Sequence, residues 1–182
     1  MGTPYIMSLQ VGAVKDLETW TTGIYKTPVE GPVWLGTFNL AGDEQADLRV
    51  HGGRDKAVMV YPGAHYEKWN AEIGLGLGPG AVGENFTVAG LDEETVHLGD
   101  QYEIGEAKVE VSQPRQPCWK LAQKWNRPDL PKRVVQTGRT GWYFRVLQEG
   151  EVAAGDQLKL LHRDADAPSI AQMNRRMYRT LA

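Results

Sequence analysis

The sequence predicts a mainly β fold, a barrel or strongly bent sheet carrying a few short helices, on three observations. Glycine occurs 21 times in 182 residues and falls mostly between segments, where it punctuates the chain. The segments are short and alternate apolar with polar residues, as half-buried strands do. Helical spacing is confined to three windows.

Alternation runs through residues 5–14 and, more loosely, 32–40, and residues 58–61 form a short apolar run. In 107–112, Val109 and Val111 share a face opposite Lys108 and Glu110. Trp142, Phe144 and Val146 alternate with Tyr143, Arg145 and Leu147, and Leu158 and Leu160 continue the theme. The helical windows are 62–73, with His65, Trp69 and Ile73 in register and Pro62 suited to a first turn, then 117–125, then 168–181. In the last, Ile170, Met173, Met177 and Leu181 form a stripe fit to pack on the barrel or on a partner. Residues 164–168 read as a linker, giving a barrel domain over 1–163 and a linker with C-terminal helix over 164–182.

The length suits one domain with a real core. With 41% hydrophobic and 24% charged residues the chain reads as soluble and globular. No apolar run approaches a membrane span, and the first 15 residues lack the build of a signal peptide, so no membrane partner and a cytoplasmic location are expected. A single cysteine excludes an internal disulfide. The net charge of −3 argues against a general nucleic-acid binder. Residues 113–148, however, hold eight Lys or Arg against the one acid Asp129, a local +7 against −10 elsewhere. That stretch reads either as a site for an anionic ligand or as a solvated, ion-paired surface. Gly76-Leu77-Gly78-Pro79-Gly80-Ala81 matches a dinucleotide fingerprint in letters only, because it follows a helix and contains a proline; a flexible surface loop is the reading.

Three short segments carry chemistry. Ser112 to Leu121 leaves a strand, turns through Pro114 and Pro117 and enters a helix, which puts Cys118 in a first turn beside Arg115 and Lys120. Those surroundings favour a thiolate, a nucleophile and soft-metal ligand; a lone cysteine equally serves as a small buried hydrophobe. His51, before Gly52-Gly53, offers a proton donor or an orienting hydrogen bond, or simply anchors a turn. Asn85, in Gly83-Glu84-Asn85, has the donors and acceptor to read a heterocycle edge, or belongs to a plain turn.

Taken in order, these segments resemble the MOSC family, named for the C-terminal domain of molybdenum cofactor sulfurase. The resemblance runs from Gly42-Asp43-Glu44-Gln45-Ala46-Asp47 through His51-Gly52-Gly53, Asp55-Lys56-Ala57, Gly83-Glu84-Asn85, Gly90-Leu91, Gly99-Asp100 and the Cys118 segment to Gly141-Trp142. It covers roughly residues 5–162 and is similar in spacing to the YiiM-type branch, known for reducing 6-N-hydroxylaminopurine. The resemblance implies a barrel built around molybdenum–molybdopterin, with Cys118 as the metal ligand and Lys26, His51, Asn85 and Arg115 at the cofactor. It further implies an oxidoreductase acting on a small N-hydroxylated substrate, with Cys118 and His51 catalytic and electrons from a separate reductase, since one cysteine builds no Cys₄ cluster. Two other roles stay open, a cofactor carrier without catalysis and a sulfur carrier using a Cys118 persulfide. Longer YiiM-type relatives continue into a small C-terminal helical module, and a shortened helical region of one helix is expected here in residues 164–182.

Overall fold

The computed structural model describes residues 2–47 and 52–178. Its centre is an eight-stranded sheet of β1 (Tyr5–Val11), β4 (Thr27–Pro28), β6 (Val58–Pro62), β7 (Phe86–Ala89), β8 (Gln101–Ile104), β9 (Ala107–Pro114), β10 (Trp142–Gln148) and β12 (Lys159–His162). The order is β12-β8-β9-β10-β6-β7-β1-β4. Among the described residues only β6 and β7 pair in parallel, and they are joined by helix α1 (Ala64–Ile73). Two ribbons complete the strands, β2 (Lys15–Leu17) with β3 (Trp20–Thr22), and β5 (Val33–Leu35) with β11 (Gly150–Val152).

The sheet curls back towards itself. An antiparallel bridge joins Tyr5 to Gln157, Ile6 N–H donates to the Asp156 carbonyl at 2.9 Å, and Leu158 N–H to the Pro4 carbonyl at 2.8 Å. The segment entering β12 therefore bonds to β1, while β12 itself pairs with β8. The barrel-type reading holds.

Alternation assigns the two faces of the central strands. Val58, Val60, Trp142, Phe144 and Val146 join the interior core with Ile6, Phe86, Val109 and Val111. Their neighbours Met59, Tyr61 and Tyr143 point outward into a second apolar cluster. That cluster is roofed by Tyr66 and Trp69 of α1, Leu121 of α2 (Trp119–Trp125), and Leu130 and Val134 of α3 (Leu130–Thr137). β6 is thus buried on both sides, which is why its sequence reads as a continuous apolar run.

Several sequence expectations shift. Pro62 closes β6 and α1 starts at Ala64, so the proline serves the strand end and not a first helical turn. The second helix begins at Trp119, and α3 was not anticipated: it has Pro131 in its first turn and ends at Gly138, which takes φ 68°. The final helix, α4, spans Ile170–Met177 with a capping box of Ser169 and Gln172. Ile170 is buried in the barrel core and Met173 packs against it, whereas Met177 is exposed. Residues 164–168 form a turn tied to the barrel, where Leu98 N–H donates to the Pro168 carbonyl at 3.0 Å. The glycine-rich loop after α1 is anchored too. Asn70 exchanges two hydrogen bonds with Leu77, whose side chain is buried. Among the described residues no helix is long and apolar enough to cross a membrane.

Candidate functional site

β9 leaves the barrel at Pro114, and Arg115 N–H then donates to the Gly141 carbonyl at 3.1 Å, fixing the chain as it turns. Cys118 follows in an extended conformation (φ −110°, ψ 166°) as the N-cap of α2, one position ahead of the expected first turn. Its thiol makes no capping hydrogen bond and is half-buried.

Arg115 and Cys118 line one cleft with Lys26, Asn85, Asp43, Val82, Lys56, Lys120 and Tyr143, enclosing about 90 Å³. Four of the five residues singled out from the sequence therefore meet there. The fifth, His51, lies outside the described residues.

Each charged group has a distinct situation. The Arg115 guanidinium is buried (5% exposed); Nη2 donates to the Val82 carbonyl at 3.1 Å, and Nη1 is buried without a partner. A buried guanidinium N–H lacking an acceptor is costly, and an anion in the cleft would satisfy it. Lys26, by contrast, is committed: its ammonium contacts the Asp43 carboxylate, both side chains being almost fully buried. Lys120 donates to the Thr21 carbonyl at 2.7 Å, tying α2 to the β2–β3 ribbon. Behind the cleft, Lys124 donates to the Gly80 and Ile24 carbonyls, and burial pulls its pKa down to about 8. Burial likewise raises the Tyr143 phenol, opposed by the Arg115 guanidinium, so its hydroxyl stays protonated.

Asn85 is buried with its amide turned to the protein. Its Oδ1 accepts from Met59 N–H at 3.0 Å, and its Nδ2 donates to Asp43 at 2.9 Å and to the Gln10 carbonyl at 3.3 Å. These bonds make Asn85 part of what holds the cleft floor together. Asp43 is the hub of that floor, accepting also from Gly12 N–H at 2.9 Å, and sequence reasoning did not single it out. Its only signal was its place in Gly42-Asp43-Glu44. The adjoining loop is folded around Glu84, fully buried, which accepts from the Tyr66 hydroxyl, Gly80 N–H, Val82 N–H and the Thr87 hydroxyl.

The basic stretch is less concentrated than its composition suggested. Arg127 and Arg133 pair with Asp129, Arg139 with Glu72, and Arg145 with Asp55 and Glu110. Of the eight cations only Arg115 and Lys120 line the cleft. The ion-paired reading describes Arg127, Arg133, Arg139 and Arg145.

Residues 47–159 match the model of the MOSC domain. The chain belongs to the MOSC domain family. It is 48% identical over 177 residues to YflK of Bacillus subtilis (strain 168), covering 95% of this chain and 80% of that protein. It is 38% identical over 159 residues to a protein of Gibberella moniliformis (strain M3125 / FGSC 7600) named a reductase, covering 85% of this chain but only 28% of that one. Among solved structures, YiiM from Geobacillus stearothermophilus superposes with a TM-score of 0.83 at 45% identity, covering 96% of this chain and 84% of that one. The MOSC fold and the YiiM likeness expected from the ordered motifs are both found.

Proposed function

We propose that this MOSC protein binds molybdenum–molybdopterin through Cys118 and works as a reductase of N-hydroxylated bases or related N-hydroxylated compounds. The observation that carries the reading is the pairing of a half-buried, uncapped thiol with a buried guanidinium whose Nη1 has no partner, in one cleft. A soft thiolate donor beside an unsatisfied cation fits a sulfur-ligated metal carried on an anionic organic group. The name of the Gibberella relative agrees with redox chemistry.

The chain's own residues divide the work. Cys118 supplies the metal ligand, and Arg115 and Lys120 offset the negative charge of the cofactor. Asp43, Lys26 and Asn85 hold the floor rigid, so that the thiol and the guanidinium keep a fixed relation. The cleft's 90 Å³ is well below the roughly 300–1,000 Å³ of a whole ligand pocket, so Cys118, Arg115 and Lys120 would hold only part of such a cofactor inside it. When bound, the cofactor supplies a two-electron redox centre. Each N–OH reduced to an amine consumes two electrons and two protons and releases water. The electrons come from a separate reductase, and His51, within the residues that match the MOSC domain model, is the proposed proton donor.

The test is expression in a host that makes molybdopterin, followed by metal and pterin analysis and assay of hydroxylaminopurine reduction with a supplied electron donor. Wild-type protein retains molybdenum and reduces the substrate, whereas Cys118→Ser folds normally and does neither. Full molybdenum retention by Cys118→Ser overturns the ligand assignment. Retention in wild type without turnover leaves a carrier.

A further inference from the structure

A second cavity lies between α1, the loop after β7, the end of α3 and α4, and shares no lining residue with the cleft. It encloses about 350 Å³, within the roughly 300–1,000 Å³ of small-ligand sites. Three of its lining residues carry a buried polar atom that finds no partner among the described residues: His65 Nδ1, Arg139 Nη1 and Asn174 Oδ1. His65 and Asn174 are only 5% and 1% exposed. The side chains are fixed by their other bonds. Arg139 Nη2 donates to Glu72 at 2.7 Å, and the guanidinium lies 4.7 Å from the centre of the Trp69 ring. His65 Nε2 bonds one oxygen of Glu93 at 2.7 Å, and the other oxygen accepts from Gly141 N–H. The Thr140 hydroxyl donates to the Gly141 carbonyl at 2.9 Å, so it accepts from Asn174 Nδ2 at 2.8 Å and leaves the amide oxygen over. His65 and Asn174 are thus both anchored to the Gly141 peptide and are not free to turn elsewhere. Unmatched buried polar atoms are costly, and three around one cavity mark it for a ligand that matches them.

We propose that this cavity is a second ligand site, for a small carboxylate that carries a hydroxyl or ammonium group beside the carboxyl. Arg139 Nη1 is a donor held in a fixed plane, and Lys68 adds a second positive charge to the wall, which suits a carboxylate. Asn174 Oδ1 is an acceptor. His65, with its hydrogen on Nε2 for the Glu93 carboxylate, presents Nδ1 as another, so the same ligand must also donate. A plain anion would satisfy the arginine alone. The acids of the wall are already engaged: Glu93 through both oxygens, Asp92 with the backbone N–H groups of Glu94 and Thr95, and Glu94 with Arg175 at 3.0 Å. Among the described residues no cluster fit for a metal ion is found. The site is independent of the chemistry at Cys118 and stands whether or not the cleft holds a redox cofactor.

The experiment titrates the protein with four probes of similar size, following backbone amide shifts by NMR. L-Lactate pairs a carboxylate with a hydroxyl and L-alanine pairs one with an ammonium, whereas propionate lacks the donor and ethylamine lacks the carboxylate. L-Lactate, L-alanine or both bind and shift the amides of Glu93, Arg139 and Asn174, and the tighter of the two identifies the donor. Propionate binds about three- to tenfold more weakly, the worth of a neutral hydrogen bond, and ethylamine does not bind. Arg139→Met weakens the tighter probe roughly 10- to 150-fold, the worth of a charge-assisted bond. Lys68→Ala, at an exposed position, weakens it about two- to fivefold and keeps the test decisive should Arg139→Met unfold. Arg115→Met leaves the affinity unchanged. Binding of neither L-lactate nor L-alanine overturns the proposal, and so does propionate binding as tightly as they do. Affinity that Lys68→Ala leaves unchanged also overturns it. Affinity lost in Arg115→Met and kept in Arg139→Met does the same, because it moves the ligand to the cleft.

Discussion

Asn85 donates its amide hydrogen to the Asp43 carboxylate at 2.9 Å, and Asp43 in turn holds the Lys26 ammonium, so three buried side chains from distant segments close the cleft floor. Removing the carboxylate strands a buried cation. Asp43→Asn is expected to destabilise the protein by about 3–5 kcal/mol, the usual result of breaking a buried pair on one side. Removing both charges, as Asp43→Asn with Lys26→Met, recovers a large part of that loss. Urea denaturation of the two variants decides it: a double variant no more stable than the single one would mean that the pair is not the source of the effect.

The Gly141 backbone is the link between the barrel and the site, because its carbonyl accepts from Arg115 N–H and its own N–H donates to Glu93 at 2.7 Å. Gly141 takes φ 72°, and a Cβ there would sit 2.3 Å from the Val60 carbonyl oxygen, a backbone atom that cannot step aside. Gly141→Ala therefore combines left-handed strain with a clash and is expected to cost above about 3 kcal/mol. Gly138→Ala is the control, with φ 68° but open space around the added carbon, and is expected to cost only about 1–2 kcal/mol. Equal melting temperatures for the two variants would rule out the steric argument.

Arg115 sets stability against binding. Burial of a guanidinium with an unpartnered Nη1 is unfavourable in the empty protein and favourable once an anion is present. Arg115→Met is expected to leave the melting temperature of the cofactor-free protein equal or higher. The same substitution lowers retained molybdenum and pterin at least about tenfold. A variant that melts lower and keeps its cofactor would remove Arg115 from the site.

What the sequence made legible depends on how far apart the partners lie. Trp142, Phe144 and Val146 alternate with Tyr143 and Arg145, and that local pattern marks the barrel interior in β10, whereas Val58–Tyr61 is apolar throughout and reads only as a buried strand. Cys118 was legible because two prolines and a helix start frame it within a few residues. Asp43 was not, since its partners Lys26 and Asn85 lie 17 and 42 residues away. The composition of the basic stretch left two readings open for the same reason: Arg139 is neutralised by Glu72, 67 residues earlier, and Arg145 by Asp55. Helix α3 passed unseen because Pro131 reads as a breaker until Leu130 and Val134 are known to face the same apolar cluster.

Lys124 gives the pH dependence its sign. Burial lowers its pKa from 10.5 to about 8, with Lys26 and Lys15 pushing the same way and Glu84 opposing. Below pH 8 both folded and unfolded chains carry the proton, and the cost of burying the charge is felt in full. Between about pH 8 and 10.5 the unfolded chain binds a proton that the folded one has released, so this site adds stability as pH rises. Lys124→Met removes the titration. The stability of wild type relative to Lys124→Met is thus expected to be flat below pH 8 and to climb above it, by at most about 1.4 kcal/mol per pH unit. Urea unfolding of both proteins at pH 7, 8, 9 and 10 checks it. A difference that stays flat across that range, or falls, would show that the ammonium is as well solvated in the fold as outside it, despite its two carbonyl partners at Ile24 and Gly80.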